Sequence, residues 1–329
     1  MLPSRTASRR LAYLSLRSWG KSVRGKGKSA HQAICATESL FTLRHERIST
    51  TKQSLLHFSR SAGICLVILE ASGGYERPLM GALAKSGVDF ARVNPRQARE
   101  FARATGRMAK TDRVDTEVLA RMGRALDLAP TPPADPDRAR LSDLVARCDD
   151  LVKTIRAEKN RASTTRDPWI ARETGLLIHV LAAHLNAAER VIAARVEACD
   201  ALSSEARRLR SAPGLGPTLV AVLLARLPEL GQIAAKKIAA LAGLAPQACD
   251  SGLSRGKRRV WGGRSDVRRA LYLAGFIASR CDPGIKAFRA RLETAGKPVK
   301  LAVIACARKL LTILNAMMKN GQDYVKRAA

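Results

Sequence analysis

Acidic residues are scarce in this sequence: 28 Asp and Glu stand against 58 Lys and Arg, which leaves a formal net charge of +30. So large an excess of positive charge argues against an ordinary metabolic enzyme and favours a polyanionic partner. Nucleic acid is the obvious candidate, because each phosphate that a Lys or Arg neutralises releases counterions. The alternative is a solvated basic surface without a specific partner.

No Asp precedes Asp89, and residues 1–63 contain only two acids, Glu38 and Glu46, against 12 Lys and Arg. This segment shows no sustained helical or strand periodicity, so it predicts no strand. An acid-poor segment rich in Arg and Ser is typical of a transit peptide or of a disordered basic arm. Out-of-frame translation is a third interpretation.

Motifs that pair cysteines or metal ligands are missing as well. The 7 Cys residues are scattered and none forms a Cys-x-x-Cys pair, which indicates the reduced thiols of a cytoplasmic protein. His179 and His184 lie five residues apart and therefore on different helix faces, so a zinc site is not expected. No apolar run approaches the roughly 18–20 residues of a membrane span, so no membrane partner is expected.

An α/β unit is predicted after residue 64. Residues 65–69 form a short apolar run, the pattern of a strand buried on both faces, and Glu70 ends it. Residues 78–86 predict a helix and residues 90–93 a second strand. Helical periodicity follows over residues 95–105 and 112–126.

A proline-rich segment at residues 130–136 marks the predicted domain boundary, because four prolines in seven residues sustain neither a helix nor a ladder. Residues 138–210 predict two long helices broken near Pro168 and Gly175, forming a coiled-coil arm or spacer. The region from residue 212 onward predicts a basic, mainly helical domain.

Three carboxylates are candidate metal ligands. Glu70 ends a buried strand, and Asp112 and Asp115 share a face if their segment is helical, because they lie three residues apart. Such carboxylates could bind divalent ions that act on a phosphodiester. The alternative is that both aspartates only interact favourably with a helix macrodipole.

The segment PGLGPT at residues 213–218 resembles a helix-hairpin-helix turn, in which Gly214 and Gly216 allow backbone amides to approach a phosphate at a helix N-terminus. A tight connection between two helices is an equally acceptable interpretation.

A basic strip lies between residues 251 and 269. It combines Trp261 and a pair of glycines with a single acid and seven basic residues: Arg255, Lys257, Arg258, Arg259, Arg264, Arg268 and Arg269. This composition predicts phosphate contacts and a stacking surface. Ser251 stands at its head in a glycine turn, either as a nucleophile near guanidinium groups or simply as a turn residue.

These segments resemble one family, the IS110 transposases of bacterial insertion sequences, over about residues 64–329. The shared motifs are LEASGGYERP (69–78), VNPRQ (93–97), ATGRMAKTDRVD (104–115), PGLG (213–216), AGLAP (242–246), DSG (250–252) and GGRSDVRRALY (262–272). Basic residues of the third motif, Arg107, Lys110 and Arg113, become candidate nucleic-acid contacts.

The resemblance implies an RNA-guided recombinase. Its fold would be α/β plus α: a RuvC-like, RNase H-type domain with an Asp-Glu-Asp-Asp site, a coiled-coil spacer, and a helical C-terminal domain that supplies a catalytic serine. Glu70, Asp112 and Asp115 match the second to fourth carboxylates, which bind Mg²⁺ (or Mn²⁺), and Ser251 matches the serine. DNA, a structured guide RNA and further copies of the chain are the implied partners.

The resemblance breaks down at the first carboxylate, an Asp on an opening strand, because residues 1–63 contain no Asp. We therefore expect a leader at residues 1–63, a truncated RuvC-like domain at 64–130, a spacer at 131–210 and a C-terminal domain at 211–329. A shifted reading frame up to about Ile64 would explain the leader. Two alternatives remain open: a catalytically inactive nucleic-acid-binding remnant, and a junction-resolving nuclease that needs no serine.

Overall fold

The computed structural model describes residues 11–14, 32–39, 42–49, 66–71, 73–74, 76–107, 112–132, 135–247, 256 and 258–326. Side chains are described from residue 66 onward, except at 112–114 and 116. Two compact units, Met1–Pro133 and Ala134–Ala329, divide the chain. The described part is mostly helical with two small sheets.

A five-stranded sheet forms the centre of the first unit. Its strands are β1 (Leu11–Leu14), β2 (Gln32–Ser39), β3 (Thr42–Ser49), β4 (Leu66–Glu70) and β5 (Asp89–Val93). Their order is β3-β2-β1-β4-β5; β2 is antiparallel to β1 and β3, whereas β4 is parallel to β1 and β5. This mixed sheet positions the carboxyl end of β4 between two parallel neighbours.

Three of these strands correct the expectation that residues 1–63 contain none and that the domain is truncated to residues 64–130. β1, β2 and β3 lie within this segment and are part of the same sheet as β4. Their sequences show no clean alternation of apolar and polar residues. These segments form strands nevertheless, because pairing with neighbouring strands can decide strand formation where local propensity is weak.

The helices of the first unit begin near their predicted positions. They are α1 (Arg77–Lys85), α2 (Pro95–Ala104) and α3 (Asp112–Leu126). Asn94 caps α2 by accepting a hydrogen bond from the Arg96 amide at 2.8 Å. Ile68 of β4 and Leu119 of α3 belong to one buried apolar cluster, so α3 packs on the sheet beside β4.

The second unit consists of helices and one short hairpin. Its helices are α4 (Pro136–Thr164), α5 (Pro168–Glu197), α6 (Asp200–Ser211), α7 (Pro217–Arg226), α8 (Ala235–Leu241), α9 (Ser265–Cys281), α10 (Pro283–Thr294) and α11 (Val299–Asn320), and β6 (Pro246–Gln247) pairs with β7 (Arg259–Val260). The core of the unit forms between α6, α7, α9 and α11, around side chains such as Leu209, Leu271 and Leu310.

The long helices α4 and α5 confirm the predicted break at Pro168 and correct the one at Gly175. Pro168 is the first residue of α5, where its missing N–H costs nothing, and Asp167 caps that end. α5 continues through Gly175 because one glycine in a helix costs only about 1 kcal/mol. By length and composition, α5 and α11 could each cross a membrane, but the apolar stretch of α11 is half buried within the second unit. Two such helices do not indicate a membrane protein.

Candidate nucleic-acid-processing site

Glu70 is held at the carboxyl end of β4. All five residues of this strand are buried, and Glu70 pairs in register with Val93 of the parallel strand β5. The Ala71 amide donates to the carbonyl oxygen of Val93 at 3.1 Å, so the pairing continues past the glutamate. The backbone of Glu70 is therefore fixed at the carboxyl end of a central strand.

A second carboxylate, Glu76, braces the turn that follows Glu70. Its side chain is fully buried at 0% exposure, and Oε2 accepts a hydrogen bond of 2.9 Å from the Gly74 amide. Its Oε1 lies 2.8 Å from Nη2 of Arg92 on β5. Sequence reasoning missed this residue, although it lies inside the LEASGGYERP motif; a charged residue beside a glycine pair was the available signal.

Asp112 and Asp115 occupy the first turn of α3, as predicted. Their spacing places both on one face of the helix, and α3 packs against β1, β2 and β4. The side chain of Asp112 lies outside the described residues, and Asp115 is half buried. Among the side chains that the structure describes, no group of three His, Cys, Asp or Glu could hold a metal ion.

Arg107, one of the candidate nucleic-acid contacts, lies just before α3 and pairs with that helix. Its Nη2 lies 3.1 Å from Oε1 of Glu117, which also pairs with Arg121 at 2.7 Å. Lys110 lies outside the described residues, and only the backbone of Arg113 is described.

β1, one of the two strands beside β4, contains no carboxylate. β1 has the sequence LAYL, and its Leu14 pairs with Leu69 of β4. Across the sheet, Leu14 pairs with Cys35 and Cys35 with Glu46, so Glu46 is three strands away from β4. At about 4.8 Å per strand this is roughly 14 Å, too far to replace an acid on β1.

Ser251, Arg255 and Lys257 lie outside the described residues. The residues before and after them form the β6–β7 hairpin, in which Gln247 pairs with Arg259. The segment with Ser251 therefore begins and ends at adjacent backbone positions. Arg258 and Arg259 are exposed at this base, where they are available to a phosphate.

Other members of the basic strip are engaged within the protein. Arg264 makes two hydrogen bonds of 2.6 Å with Glu229 and a third, of 2.8 Å, with the carbonyl oxygen of Arg226. Burial alone would raise the pKa of Glu229, but hydrogen bonds from Arg264 and from its own backbone lower it below the usual range. Arg268 donates to the carbonyl oxygen of Gly262 at 2.7 Å, and Arg269 pairs with Asp266.

The glycines of the motifs permit close packing inside the second unit. A Cβ on Gly214 would lie 2.4 Å from the carbonyl oxygen of Ala274 on α9, and one on Gly263 would lie 2.3 Å from the Gly243 amide nitrogen. Gly216 differs, since it faces open space and precedes α7, whose N-terminus has no side-chain cap. Within the PGLG turn, Gly214 is therefore packed against α9, whereas the space beside Gly216 is open.

Comparison with known proteins decides the family. A family model described as "Transposase", of the DEDD type, matches residues 26–165, and one described as "Transposase IS116/IS110/IS902 family" matches residues 206–290. The chain belongs to the IS110 family of transposases. Transposases of this family recombine DNA, and the DEDD type typically uses a divalent metal.

Relatives of this transposase include the pilin gene-inverting protein of Moraxella bovis, which is 27% identical over 265 residues, 79% of this chain and 82% of the relative. The insertion element IS110 43.6 kDa protein of Streptomyces coelicolor is 33% identical over 121 residues, 36% of this chain and 30% of the relative. The insertion element IS900 42 kDa protein of Mycobacterium paratuberculosis is 36% identical over 117 residues, 35% of this chain and 29% of the relative.

The first family match also bears on the leader of this transposase. It begins at residue 26 and therefore includes β2 and β3. A shifted reading frame reaching to Ile64 does not fit such a match.

Proposed function

We propose that this transposase cuts and rejoins DNA at the carboxylates Glu70, Asp112 and Asp115, with Ser251 as nucleophile. One observation supports the proposal above all: Glu70 ends the central strand β4, and the helix that begins with Asp112 packs on the same strand. The mixed sheet flanked by helices is consistent with a RuvC-like domain.

The three carboxylates would hold Mg²⁺ (or Mn²⁺). Their chemistry fits this role, because hard divalent cations prefer carboxylate oxygens. A bound ion would polarise the phosphodiester and stabilise the oxygen that leaves. The fit is incomplete, since β1 contributes no carboxylate to this edge of the sheet.

Ser251 would attack the phosphorus of a backbone phosphodiester through Oγ. A bond forms between Oγ and phosphorus while the bond to the leaving sugar oxygen breaks, and the proton lost by the hydroxyl ends on that oxygen. The covalent intermediate keeps the energy of the phosphodiester, so a new sugar hydroxyl can later displace the serine and rejoin the strand.

Exposed members of the basic strip would hold the DNA at this position. Arg258 and Arg259 flank the segment that contains Ser251 and are exposed, and Arg255 and Lys257 lie within that segment. Lys110 and Arg113 would act near the carboxylates. Arg264 and Arg268 would act indirectly, because Arg264 donates to the carbonyl oxygen of Arg226 and Arg268 to that of Gly262. Gly216, at the uncapped start of α7, would contact a phosphate through a helix-hairpin-helix turn.

A structured guide RNA from the mobile element would select the sites. The net charge of +30 supports the binding of more than one nucleic-acid strand. Purification of the chain from cells that contain the flanking element DNA, followed by sequencing of the bound RNA, tests this step. Absence of an element-derived transcript would contradict it.

A second copy of the chain would cover α5, which packs beside α4 and would form the coiled-coil spacer with it. Large apolar side chains on α5 are exposed to solvent, among them Trp169 at 72% and Leu176 at 64%. Monomers rarely expose so much apolar surface on one helix, and an oligomer in the bacterial cytoplasm would bury it. Sedimentation of the L176E variant tests this arrangement, since a charge there should dissociate the oligomer.

Two substitutions test the chemistry. Glu70→Gln should abolish Mg²⁺-dependent strand exchange, and Ser251→Ala should abolish the covalent protein–DNA adduct that denaturing electrophoresis detects. If S251A retains full activity, the chain acts as a nuclease with carboxylates alone. A second candidate function is a nucleic-acid-binding remnant without activity, which the missing carboxylate on β1 favours. A wild-type protein that binds DNA but performs no strand exchange would establish this function.

A further inference from the structure

A large cavity lies in the second unit, away from the residues discussed above. It has a volume of about 880 Å³ and opens between α10, α11 and the chain that follows α11. Ligand pockets for small molecules usually span about 300–1,000 Å³, so the cavity would accept a group as large as a nucleotide. Nothing in the proposed strand-exchange chemistry uses it.

The residues after α11 form one wall, and two hydrogen bonds hold this wall in place. The Tyr324 hydroxyl donates to Oδ2 of Asp282 at 2.7 Å, and the Tyr324 amide donates to Oγ of Ser211 at 2.8 Å. Asp282 is buried at 2% exposure, and its Oδ1 also caps α10 by accepting from the Ile285 amide. The cavity is therefore formed before any ligand binds.

The lining combines an apolar floor with two cations. Ile285, Ile313 and Met317 belong to the core of the unit or pack against it, and Phe288 extends this surface. The Lys309 ammonium lies 4.5 Å from the centre of the Phe288 ring, and the Arg291 guanidinium lies 5.5 Å from it. Cations at this distance are attracted to the ring, which fixes them at the edge of the apolar floor.

Polar side chains complete the lining. The amides of Asn320 and Gln322 face the cavity, and Asp323 is the one acid there besides the hydrogen-bonded Asp282. Amide side chains can both donate and accept, as base edges require. A simple anion would not need the apolar floor, and an apolar ligand would not use the two cations.

We propose that this cavity binds one unpaired nucleotide of a DNA single strand, with the base against Phe288 and Tyr324 and its phosphate at Lys309 and Arg291. DNA is the substrate of the family, and strand exchange cannot proceed without unpaired bases. Aromatic side chains and basic residues together are the usual means of binding single strands. The cavity would hold such a nucleotide outside the duplex while strands are exchanged.

Binding to a short single-stranded DNA and to its duplex tests the proposal. The test variant is Lys309→Gln and the matched control is Lys319→Gln, which removes the same charge from the same helix outside the cavity. K309Q should weaken single-strand binding about ten-fold more than K319Q does, because only K309Q removes the ammonium group that contacts the phosphate of the bound nucleotide. Both variants should have the same small effect on the duplex, whose bases are stacked.

Three outcomes would overturn the assignment. Equal effects of K309Q and K319Q on the single strand would show that only the total charge matters. A ten-fold effect that is unchanged when the oligonucleotide lacks its bases would show phosphate binding alone. A selective effect on RNA of the same sequence, but not on DNA, would replace DNA by RNA as the ligand.

Photo-cross-linking of a DNA strand that contains iododeoxyuridine should label Phe288 or Tyr324. None of these measurements depends on strand exchange or on metal, so they stand apart from the proposed chemistry.

Discussion

Glu76 and Arg92 form an ion pair of 2.8 Å between the turn after β4 and the carboxyl-terminal half of β5, with the glutamate fully buried and the arginine half exposed. Glu76 also accepts from the Gly74 amide. The pair therefore closes the turn that directly follows Glu70, which ties the position of the proposed catalytic carboxylate to β5.

Glu76→Gln should destabilise the first unit. Gln can still accept from the Gly74 amide but removes the charge opposite Arg92, and because Arg92 can reach water we expect a loss of about 2 kcal/mol in the free energy of unfolding. Urea denaturation measures it. Glu100→Gln is the matched control, since its pair with Arg96 is exposed on α2 and should be worth less than about 0.5 kcal/mol. Equal losses in the two variants would contradict the role given to Glu76.

Arg264 and Arg259 should respond differently to substitution although they lie in the same basic strip. Arg264→Ala leaves Glu229 without its two hydrogen bonds and should cost about 2 kcal/mol of stability. Arg259→Ala should leave stability within about 0.5 kcal/mol, because this side chain is exposed. It should instead weaken DNA binding and reduce the slope of log affinity against log salt by about 1. A stable R264A protein with the same reduced slope would show that Arg264 contacts DNA directly.

Gly214→Ala should be among the most damaging single substitutions in the second unit. The added Cβ would lie 2.4 Å from the carbonyl oxygen of Ala274, and the residue has φ +80. Gly296→Ala is the control, because its φ of +73 is similar but nothing lies within 4 Å. Left-handed strain alone costs about 1–2 kcal/mol, so thermal unfolding should show a small loss in G296A and a clearly larger one in G214A. Similar losses would mean that the α9 contact adds nothing.

Glu229 should make stability depend on pH. Its pKa is lowered in the folded protein by the hydrogen bonds from Arg264 and the backbone, against the opposing effect of burial. A lowered folded pKa stabilises the protein above the unfolded value, and this contribution disappears as the pH falls through the folded value. The wild type should therefore exceed Glu229→Gln in stability at neutral pH, and the difference should shrink below about pH 4.3.

Urea denaturation over a pH series measures this difference. In an Arg264→Ala background the pH-dependent part should largely vanish, because the main favourable partner of the carboxylate is gone. A difference that persists unchanged in that background would assign the effect to another group.

Local patterns in the sequence were sufficient for much of the fold. The apolar run ending at Glu70 predicted β4, the helical periodicity of residues 112–126 predicted α3, and Pro168 predicted the break between α4 and α5. These signals are local because burial on both faces, helical periodicity and the missing N–H of proline act within a few residues.

Tertiary structure alone decided three further points. The strands β1 to β3 form although their sequence shows no strand pattern, because they pair with β4 and with each other. Arg264 pairs with Glu229, which lies 35 residues away in the sequence, so its charge is used inside the protein. Gly214 packs against Ala274 of α9, which lies 60 residues away in the sequence. For the β1–β4 pairing, Arg264 and Gly214, the deciding partner is distant along the chain, and composition and spacing describe only near neighbours.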